Sequence, residues 1–334
     1  MKALLNCHVP FTLAHGGAQI QIEQTWAALE KAGVEVEPLR WWDDKQAGNI
    51  LHHFGRLATP TMQLAQKKGM KVVLFDLLTE HGSRSRARHL FHKTMIRVMS
   101  RVLPQSFTLS FNWDSYRVAD ACLALTPIEA ELMKELFGAP AERVHVVPNG
   151  VEDVFLERSP AERGKWLVCT ATITERKRVV ELAEAAALAQ TPLRVIGKPY
   201  AEPDPYAKRF YELARANPTV LHYEGAIADR AKLAQAYREA RGFVLLSTME
   251  SLSLSALEAA ACGCPLLLSD LPWARTTFKQ DAMYCPIGSV ESTARSLRSF
   301  YDAAPTLNPP TKPMTWLDVG RKIKGIYEGL LRKG

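Results

Sequence analysis

The chain has 334 residues, of which 47% are hydrophobic and 23% are charged, and its formal net charge is +7. This composition is typical of an ordinary folded protein, which excludes a disordered chain and a small disulfide-stapled scaffold. A length above ~250–300 residues favours two separate hydrophobic cores. The apolar start of the chain is too short for a signal peptide, and no apolar run approaches the ~20 residues that cross a bilayer, so we expect a cytoplasmic protein.

In the first half of the chain, short apolar strands alternate with helical patterns, which predicts a parallel sheet built from βαβ units. The predicted strands are 2–7, 34–39, 49–54, 72–75, 121–125 and 144–147. The predicted helices are 18–32, 59–68, 89–101 and 128–137.

The second half repeats this alternation, so the fold class is α/β with two doubly wound sheets in series. Its predicted strands are 166–170, 193–196, 220–223, 242–246, 265–268 and 282–284. Its predicted helices are 179–189, 205–216, 230–239, 253–261 and 290–301.

Proline-containing segments mark the expected domain boundaries. The mixed-charge stretch around Pro160 separates a first domain at 1–155 from a second at 156–315. After a proline-rich break, residues 316–332 carry apolar side chains at the spacing of one helical face. We expect the segment 316–334 to cross back and cover the first domain.

The most informative motif follows the predicted strand 242–246. Glu250 lies in a loop, and Glu258 follows eight residues later on a helix that begins near Ser253. The open N–H groups and the positive dipole end of a helix N-terminus bind a diphosphate. Eight helical residues span ~12 Å, so the two carboxylates can contact opposite ends of one ligand. Without its neighbours, such a pair is equally typical of a solvated surface helix.

A basic cluster lies at the preceding strand-to-helix junction, where Arg176, Lys177 and Arg178 follow Glu175. Cations at this place neutralise the charge that develops on a pyrophosphate leaving group, and each is typically worth a few kcal/mol of barrier. In isolation, a basic loop of this kind is usually only solvated.

Gly16 and Gly17 begin the first predicted helix after the loop that follows the first strand. Glycines allow the backbone to approach a ligand closely, and the helix terminus favours anions. A simple turn is the alternative interpretation. The pair is not a dinucleotide-binding fingerprint, because the G-x-G-x-x-G pattern is absent from the sequence.

In their order and spacing, these three motifs resemble the family 4 glycosyltransferases, which have the GT-B fold. The resemblance implies two Rossmann-like, doubly wound domains that face each other across a cleft, with an acceptor-side first domain and a nucleotide-sugar-binding second domain. It also implies a retaining glycosyltransferase that moves a sugar from a nucleoside-diphosphate sugar, such as a UDP- or GDP-sugar, to an acceptor hydroxyl. Such an enzyme needs no cofactor and no metal, and it acts in glycan, glycolipid or cell-envelope polysaccharide synthesis.

The resemblance also assigns roles to individual residues. Glu250 and Lys177 are the expected catalytic residues, together with His81, which family members often place near the reacting sugar; an ordinary exposed or partnered histidine is the equal alternative for His81. Lys177 contacts the phosphates, Glu250 the sugar hydroxyls and Glu258 the ribose diol. The expected donor-binding residues are Gly16, Gly17, Arg176, Arg178, Ser251, Leu252, Ser253, Leu254 and Glu258.

One position departs from the family pattern. Thr172 stands where an arginine is usual. Either Arg176 or Arg178 supplies the missing charge, or the phosphate site is weaker than in the family. This departure keeps open a non-catalytic nucleotide-sugar-binding protein as an alternative. A nucleotide-sugar epimerase on the same fold is the other alternative function.

A basic segment precedes Trp113, because residues 81–113 contain six arginines and lysines and no acidic residue. The helical positions of Phe91, Met95, Val98 and Val102 share one face. A helix with its apolar face in the core and a solvated basic back is one interpretation. The other is a peripheral contact of residues 84–103 with an anionic membrane at the inner membrane face, or a groove for a phosphorylated or lipid-linked acceptor. The acceptor is otherwise an unknown glycan or small molecule, and no nucleic-acid partner is expected, since aromatic residues are not interleaved with the basic ones.

Overall fold

The computed structural model describes residues 1–8, 16–78, 86–102, 112–157 and 162–332. The chain forms two compact units, the first consisting of Met1–Gly150 with Trp316–Gly334 and the second of Val151–Thr315. The sequence analysis placed the first boundary between 155 and 156. His81 and Arg84 lie outside the described residues.

The first unit is built on a parallel six-stranded sheet with the order β2-β1-β3-β4-β5-β6. Its strands are β1 (Lys2–Cys7), β2 (Glu35–Pro38), β3 (Ile50–Phe54), β4 (Lys71–Phe75), β5 (Ala121–Ala124) and β6 (Val144–Val146). Every residue of β3 and β5 is buried, as expected for parallel strands that are covered on both faces. The strand order reverses between β1 and β3, so the switch point of this sheet lies at their carboxyl ends.

Within the described residues of 1–150, the helices are α1 (Gly17–Lys31), α2 (Thr59–Lys67), α3 (Arg86–Val102), α4 (Ser115–Val118) and α5 (Pro127–Phe137). Thr126 caps α5 by accepting a hydrogen bond from the Glu129 backbone N–H, and Gly138 ends the helix in a left-handed conformation. Because a threonine N-cap and a C-terminal glycine mark both ends of α5, this helix can be predicted from the sequence.

Helix α3 presents an unexpected face to solvent. Ile96 is buried in the core of the unit, and Lys93 pairs with Glu135 of α5 at 3.6 Å, so this side faces the protein. Phe91 and Val98, in contrast, are exposed. The interpretation that placed the face of Phe91 and Val98 in the core is therefore wrong, because the side of the helix that carries Ile96 packs on the core.

The second unit has its own parallel six-stranded sheet, with the order β12-β11-β10-β7-β8-β9. Its strands are β7 (Leu167–Thr170), β8 (Leu193–Ile196), β9 (Leu221–Gly225), β10 (Gly242–Leu245), β11 (Leu266–Ser269) and β12 (Met283–Cys285). Its helices are α6 (Asp153–Leu156), α7 (Val179–Leu188), α8 (Pro205–Ala216), α9 (Arg230–Glu239), α10 (Leu254–Ala261), α11 (Pro272–Phe278) and α12 (Val290–Ala303). The order reverses between β7 and β10, which places the switch point of this unit where the two predicted motifs begin.

The last helix, α13 (Trp316–Arg332), returns to the first unit and packs along α1. The two helices approach closely at Gly320, where an added Cβ atom would lie 2.4 Å from the Ala28 carbonyl oxygen. Lys324 donates a hydrogen bond to the Ala32 carbonyl oxygen at the end of α1. The prediction of a C-terminal helix that crosses back to the first domain is confirmed. None of the helices within the described residues is long and apolar enough to span a membrane.

Candidate functional site

Hydrogen bonds join the loop after β7 to the loop after β10 at the switch point of the second sheet. The Arg176 carbonyl oxygen accepts from the Thr248 backbone N–H at 2.9 Å and from the Ser247 hydroxyl at 3.3 Å. The Ser269 hydroxyl at the end of β11 donates to the Ser247 carbonyl oxygen at 2.6 Å. The ends of three adjacent strands are thereby held in one arrangement, which fixes the side chains that follow them.

Glu250 is the centre of a buried cluster in these loops. Its Oε1 atom lies 2.5 Å from Lys177 Nζ and 3.0 Å from Arg176 Nη1. Arg176 Nη1 also donates to the Met249 carbonyl oxygen at 2.6 Å. Glu250 is 8% exposed, so the charge of its carboxylate is compensated mainly by these two cations rather than by water.

The electrostatics of Glu250 follow from this arrangement. Burial raises the pKa of the carboxyl group, but the attraction of Lys177 and Arg176 outweighs it, and the pKa lies below its ordinary value. Glu250 is therefore ionised at neutral pH. An ionised carboxylate has about four acceptor positions, so it can bind both cations and a ligand hydroxyl at once.

Glu258, on helix α10, lies in a second cluster of polar side chains. Its Oε1 atom accepts from Arg230 Nη2, and its Oε2 atom accepts from the Tyr237 hydroxyl at 3.2 Å. Arg230 also donates through Nε to Glu152 at 2.8 Å. Burial raises the pKa of Glu258 despite the opposing effect of Arg230 and Tyr237. The carboxylate that we expected to bind a ribose diol is thus held on both oxygens by the protein.

Sequence reasoning missed Arg230 and Tyr237. The two residues lie two turns apart on α9, so they project from the same side of that helix. In the sequence they appear only as a basic residue at the first position of the helix after β9 and a tyrosine two turns later. Nothing in the local pattern of α9 indicates that this side faces Glu258, because that contact depends on how α9 and α10 pack.

The N-terminus of α10 is capped by its own sequence. The Ser253 hydroxyl accepts from the Ala256 backbone N–H at 3.4 Å and lies 3.2 Å from the Ser255 hydroxyl. Ser251, Leu252 and Ser253 are all buried. The helix therefore begins four residues after Glu250, so its positive dipole end follows the Glu250 loop directly in the chain.

The family comparison falls on this unit. Residues 164–303 match the family model described as glycosyl transferases group 1. The match lies within the second unit and covers less than half of the chain. The match confirms the resemblance that the motifs around Lys177 and Glu250 indicated.

Two curated relatives align with about half of the chain. D-inositol 3-phosphate glycosyltransferase of Xylanimonas cellulosilytica is 28% identical over 187 residues, which cover 49% of this chain and 43% of the relative. Mannosylfructose-phosphate synthase of Agrobacterium fabrum is 27% identical over 195 residues, which cover 49% of this chain and 42% of the relative. The aligned part thus spans less than half of the length of either relative.

Solved structures resemble the chain over its whole length. A glycosyltransferase from Rickettsia africae has a TM-score of 0.66 at 13% identity and covers 100% of this chain and 99% of its own. Sucrose-phosphate synthase from Thermosynechococcus elongatus has a TM-score of 0.66 at 17% identity, with 100% and 99% coverage. HepE of Anabaena in complex with UDP has a TM-score of 0.64 at 14% identity, with 100% and 98% coverage. These similarities confirm the predicted GT-B fold.

Three other predicted donor-binding residues, Arg178, Gly16 and Gly17, lie apart from the Glu250 cluster in sequence or in hydrogen bonding. Arg178 has a left-handed backbone, with φ of 54°, and donates to the Gly288 carbonyl oxygen after β12 at 3.2 Å, so it does not join Glu250. Gly16 and Gly17 belong to the first unit, at the start of α1, where Gly16 has a φ of 150° that favours glycine. Arg176 and Arg178 were the two candidates for the positive charge that is missing at Thr172, and of these two it is Arg176 that contacts Glu250.

Proposed function

We propose that this chain transfers a sugar from a nucleoside-diphosphate sugar to a hydroxyl group of an acceptor. The observation that carries the proposal is the buried contact of Lys177 with Glu250 at the switch point of the second sheet. Ligands of open parallel sheets bind at such a point. The family match of residues 164–303 supports the same activity. The UDP bound by HepE makes a uridine nucleotide the first donor to test.

In the proposed mechanism, Lys177 and the N-terminus of α10 bind the donor diphosphate. The bond between the anomeric carbon and the diphosphate oxygen breaks, and the acceptor oxygen forms the new bond on the same face of the sugar. The acceptor proton passes to the leaving phosphate. Lys177 and Arg176 stabilise the negative charge on that phosphate, an effect that is strongest where water is excluded. Retention of configuration and independence from a metal ion are parts of this proposal.

The two glutamates have different tasks in this mechanism. Ionised Glu250 accepts hydrogen bonds from sugar hydroxyls while it remains bound to Lys177. Glu258 accepts from the ribose diol with its remaining lone pairs, and Arg230 favours the ionised form of this carboxylate against the effect of burial. Arg230 therefore acts as a positioning residue for the nucleotide.

The deciding experiment separates transfer from the two alternative functions. The protein is incubated with UDP-glucose or GDP-mannose, alone and with an acceptor panel that includes D-inositol 3-phosphate and D-fructose 6-phosphate. A transferase forms a glycoside, whereas an epimerase isomerises the donor without an acceptor, and a non-catalytic protein binds nucleotide without either reaction. If Lys177→Ala and Glu250→Ala each keep turnover within a few-fold of the wild type, the assigned roles are wrong; Lys232→Ala, an exposed lysine of α9, is the control.

For the acceptor, we propose a phosphorylated or lipid-linked molecule used in glycan or cell-envelope synthesis. Both curated relatives are named for a phosphorylated polyol or sugar. Helix α3 supports a location at the inner membrane face, because Phe91, Val98 and Val102 are 70%, 53% and 75% exposed on a helix in a basic segment. Apolar side chains flanked by arginine and lysine favour an anionic bilayer.

A further inference from the structure

Arg230 lies between two carboxylates that come from different parts of the second unit. Its Nε atom donates to Glu152 Oε1 at 2.8 Å, and its Nη2 atom donates to Glu258 Oε1. Glu258 belongs to α10 and is 5% exposed, whereas Glu152 stands immediately before α6 and is partly exposed. One guanidinium group of α9 therefore connects the carboxylate of α10 to the first residues of the second unit.

Helix α6 also supplies an aromatic contact to Arg230. The Arg230 Cζ atom lies 4.7 Å from the centroid of the Phe155 ring, within the range of a cation–π interaction. Phe155 is completely buried, and the centroid of its ring lies 6.1 Å from that of Tyr237. The Tyr237 hydroxyl donates to the other oxygen of Glu258. The segment that contains Glu152 and Phe155 thus determines where the Arg230 side chain lies.

The planar shape of the guanidinium group makes the contact with Glu152 important for Glu258. The N–H bonds of arginine lie in one rigid plane, so a hydrogen bond at Nε also fixes the direction of the N–H bonds at Nη2. The Arg230 side chain is 32% exposed, so water is the competing partner for its N–H groups. Glu152 keeps Arg230 in the orientation in which Nη2 donates to Glu258.

Glu152 also acts on Glu258 through its charge. Burial raises the pKa of Glu258, Arg230 and Tyr237 oppose this effect, and the charge of Glu152 adds to it. Cys262, one turn further along the chain, is a neutral thiol at pH 7, because burial raises its pKa to about 11. Two carboxylates share one guanidinium group in this cluster, so removal of the Glu152 charge favours the ionised form of Glu258.

We propose that Glu152 is a positioning residue for ribose recognition, which holds Arg230 so that Glu258 presents its remaining acceptor positions to the ribose diol. The proposal rests on the transfer function given above, in which Glu258 binds that diol. Glu152 itself does not contact the nucleotide in this proposal. Its replacement therefore affects the distinction between ribose and deoxyribose and not the contacts of the diphosphate.

Two substitutions separate the hydrogen bond of Glu152 from its charge. Glu152→Gln keeps an acceptor oxygen for Arg230 Nε but removes the charge, whereas Glu152→Ala removes both. Asp153→Asn, which changes an exposed carboxylate at the next position, is the control. Each protein is titrated calorimetrically with UDP and with 2′-deoxy-UDP at neutral pH. The base and the phosphates are the same in both ligands, so their contributions cancel in the ratio of the two Kd values.

In the wild type, we expect UDP to bind about tenfold more tightly than 2′-deoxy-UDP, because a site that binds a hydroxyl group rejects the analogue without it. In Glu152→Ala this ratio should fall to about threefold or less, with the affinity for 2′-deoxy-UDP changed by less than about twofold. Glu152→Gln and Asp153→Asn should keep the ratio of the wild type. Equal ratios in the wild type and Glu152→Ala, or an equal loss of both affinities, overturn the proposal.

A second readout needs no nucleotide. Carbon-13 NMR of the glutamate carboxyl groups, with the Glu258 signal assigned through Glu258→Gln, measures the pKa of Glu258 directly. This pKa should be lower in Glu152→Gln than in the wild type and unchanged in Asp153→Asn. An equal pKa in all three proteins overturns the proposal. If the wild type binds neither UDP nor 2′-deoxy-UDP, the transfer function with a uridine nucleotide is contradicted, and the NMR result still decides the role of Glu152.

Discussion

Lys177 Nζ and Glu250 Oε1 lie 2.5 Å apart, although 73 positions separate the two residues in the chain. The contact joins the motif after β7 to the motif after β10. The two charges compensate each other, so in the proposed function a bound diphosphate shares Lys177 with the carboxylate. The proposal therefore couples donor binding to the ionisation of Glu250.

The first prediction concerns the charge of Glu250. We expect Glu250→Gln to lower kcat/KM by about 100-fold, a magnitude typical of removing one electrostatic contact in a catalytic site. The amide keeps the volume but removes the negative charge that holds Lys177 in place. Steady-state transfer from UDP-glucose is the measurement, and Glu239→Gln on the exposed side of α9 is the control. Equal rates for the two variants would show that Glu250 has no role in transfer.

The second prediction uses the opposite pKa shifts of the two glutamates. The lowered pKa of Glu250 contributes stability above the ordinary carboxyl pKa, and this contribution is lost as pH falls through the lowered value. The raised pKa of Glu258 has the opposite effect, because stability falls as pH rises from the ordinary value through the raised one.

Denaturant unfolding of Glu250→Gln and Glu258→Gln at several pH values between about 3 and 7 measures these effects. The stability advantage of the wild type over Glu250→Gln should grow with pH below the ordinary carboxyl pKa. Its advantage over Glu258→Gln should shrink with pH above that value. Slopes of the same sign for both variants would contradict the electrostatic description of the site.

The third prediction tests the packing of α13 on α1. Gly320→Ala should reduce the free energy of unfolding by about 1–3 kcal/mol, because the new methyl group meets the backbone of Ala28. Gly325→Ala on the same helix meets nothing within 4 Å and should be stabilising by up to about 1 kcal/mol. Urea unfolding of both variants decides this, and a neutral Gly320→Ala would mean that the helices are further apart.

The fourth prediction concerns the exposed face of α3. The double variant Phe91→Ser and Val98→Ser should lose most of its binding to vesicles that contain phosphatidylglycerol, since it removes the apolar side chains that would enter the interface. The control is Leu64→Ser, which changes an equally exposed apolar residue on α2. Co-sedimentation is the measurement, and wild-type binding to neutral phosphatidylcholine vesicles as strong as to anionic ones would contradict the role of charge.

Much of the fold could be predicted because the local signals agree with the tertiary structure. Buried parallel strands read as continuous apolar runs, and α5 has both a threonine cap and a terminal glycine. The helix α11 was missed, although Pro272 stands at its first position, because seven residues carry too little periodicity. Short helices of this kind are stabilised by tertiary contacts more than by their own sequence.

The site was predictable in its composition but not in its contacts. The spacing of Glu250 and Glu258 identified two carboxylates near a helix terminus, yet their partners come from other segments. Arg230 contacts Glu258 because α9 packs beside α10, and the outward orientation of Phe91 depends on the contact of Ile96 with the core. Such contacts are long-range, so a periodicity argument within one segment does not reach them.

The most direct test of the central claim is calorimetric titration of UDP into the wild type, Lys177→Ala and the control Lys232→Ala. We expect one UDP to bind per chain, with affinity reduced about tenfold or more in Lys177→Ala and unchanged in Lys232→Ala, because the proposed phosphate site contains Lys177 and not the exposed Lys232. Equal UDP affinity in all three proteins would contradict the proposed phosphate site.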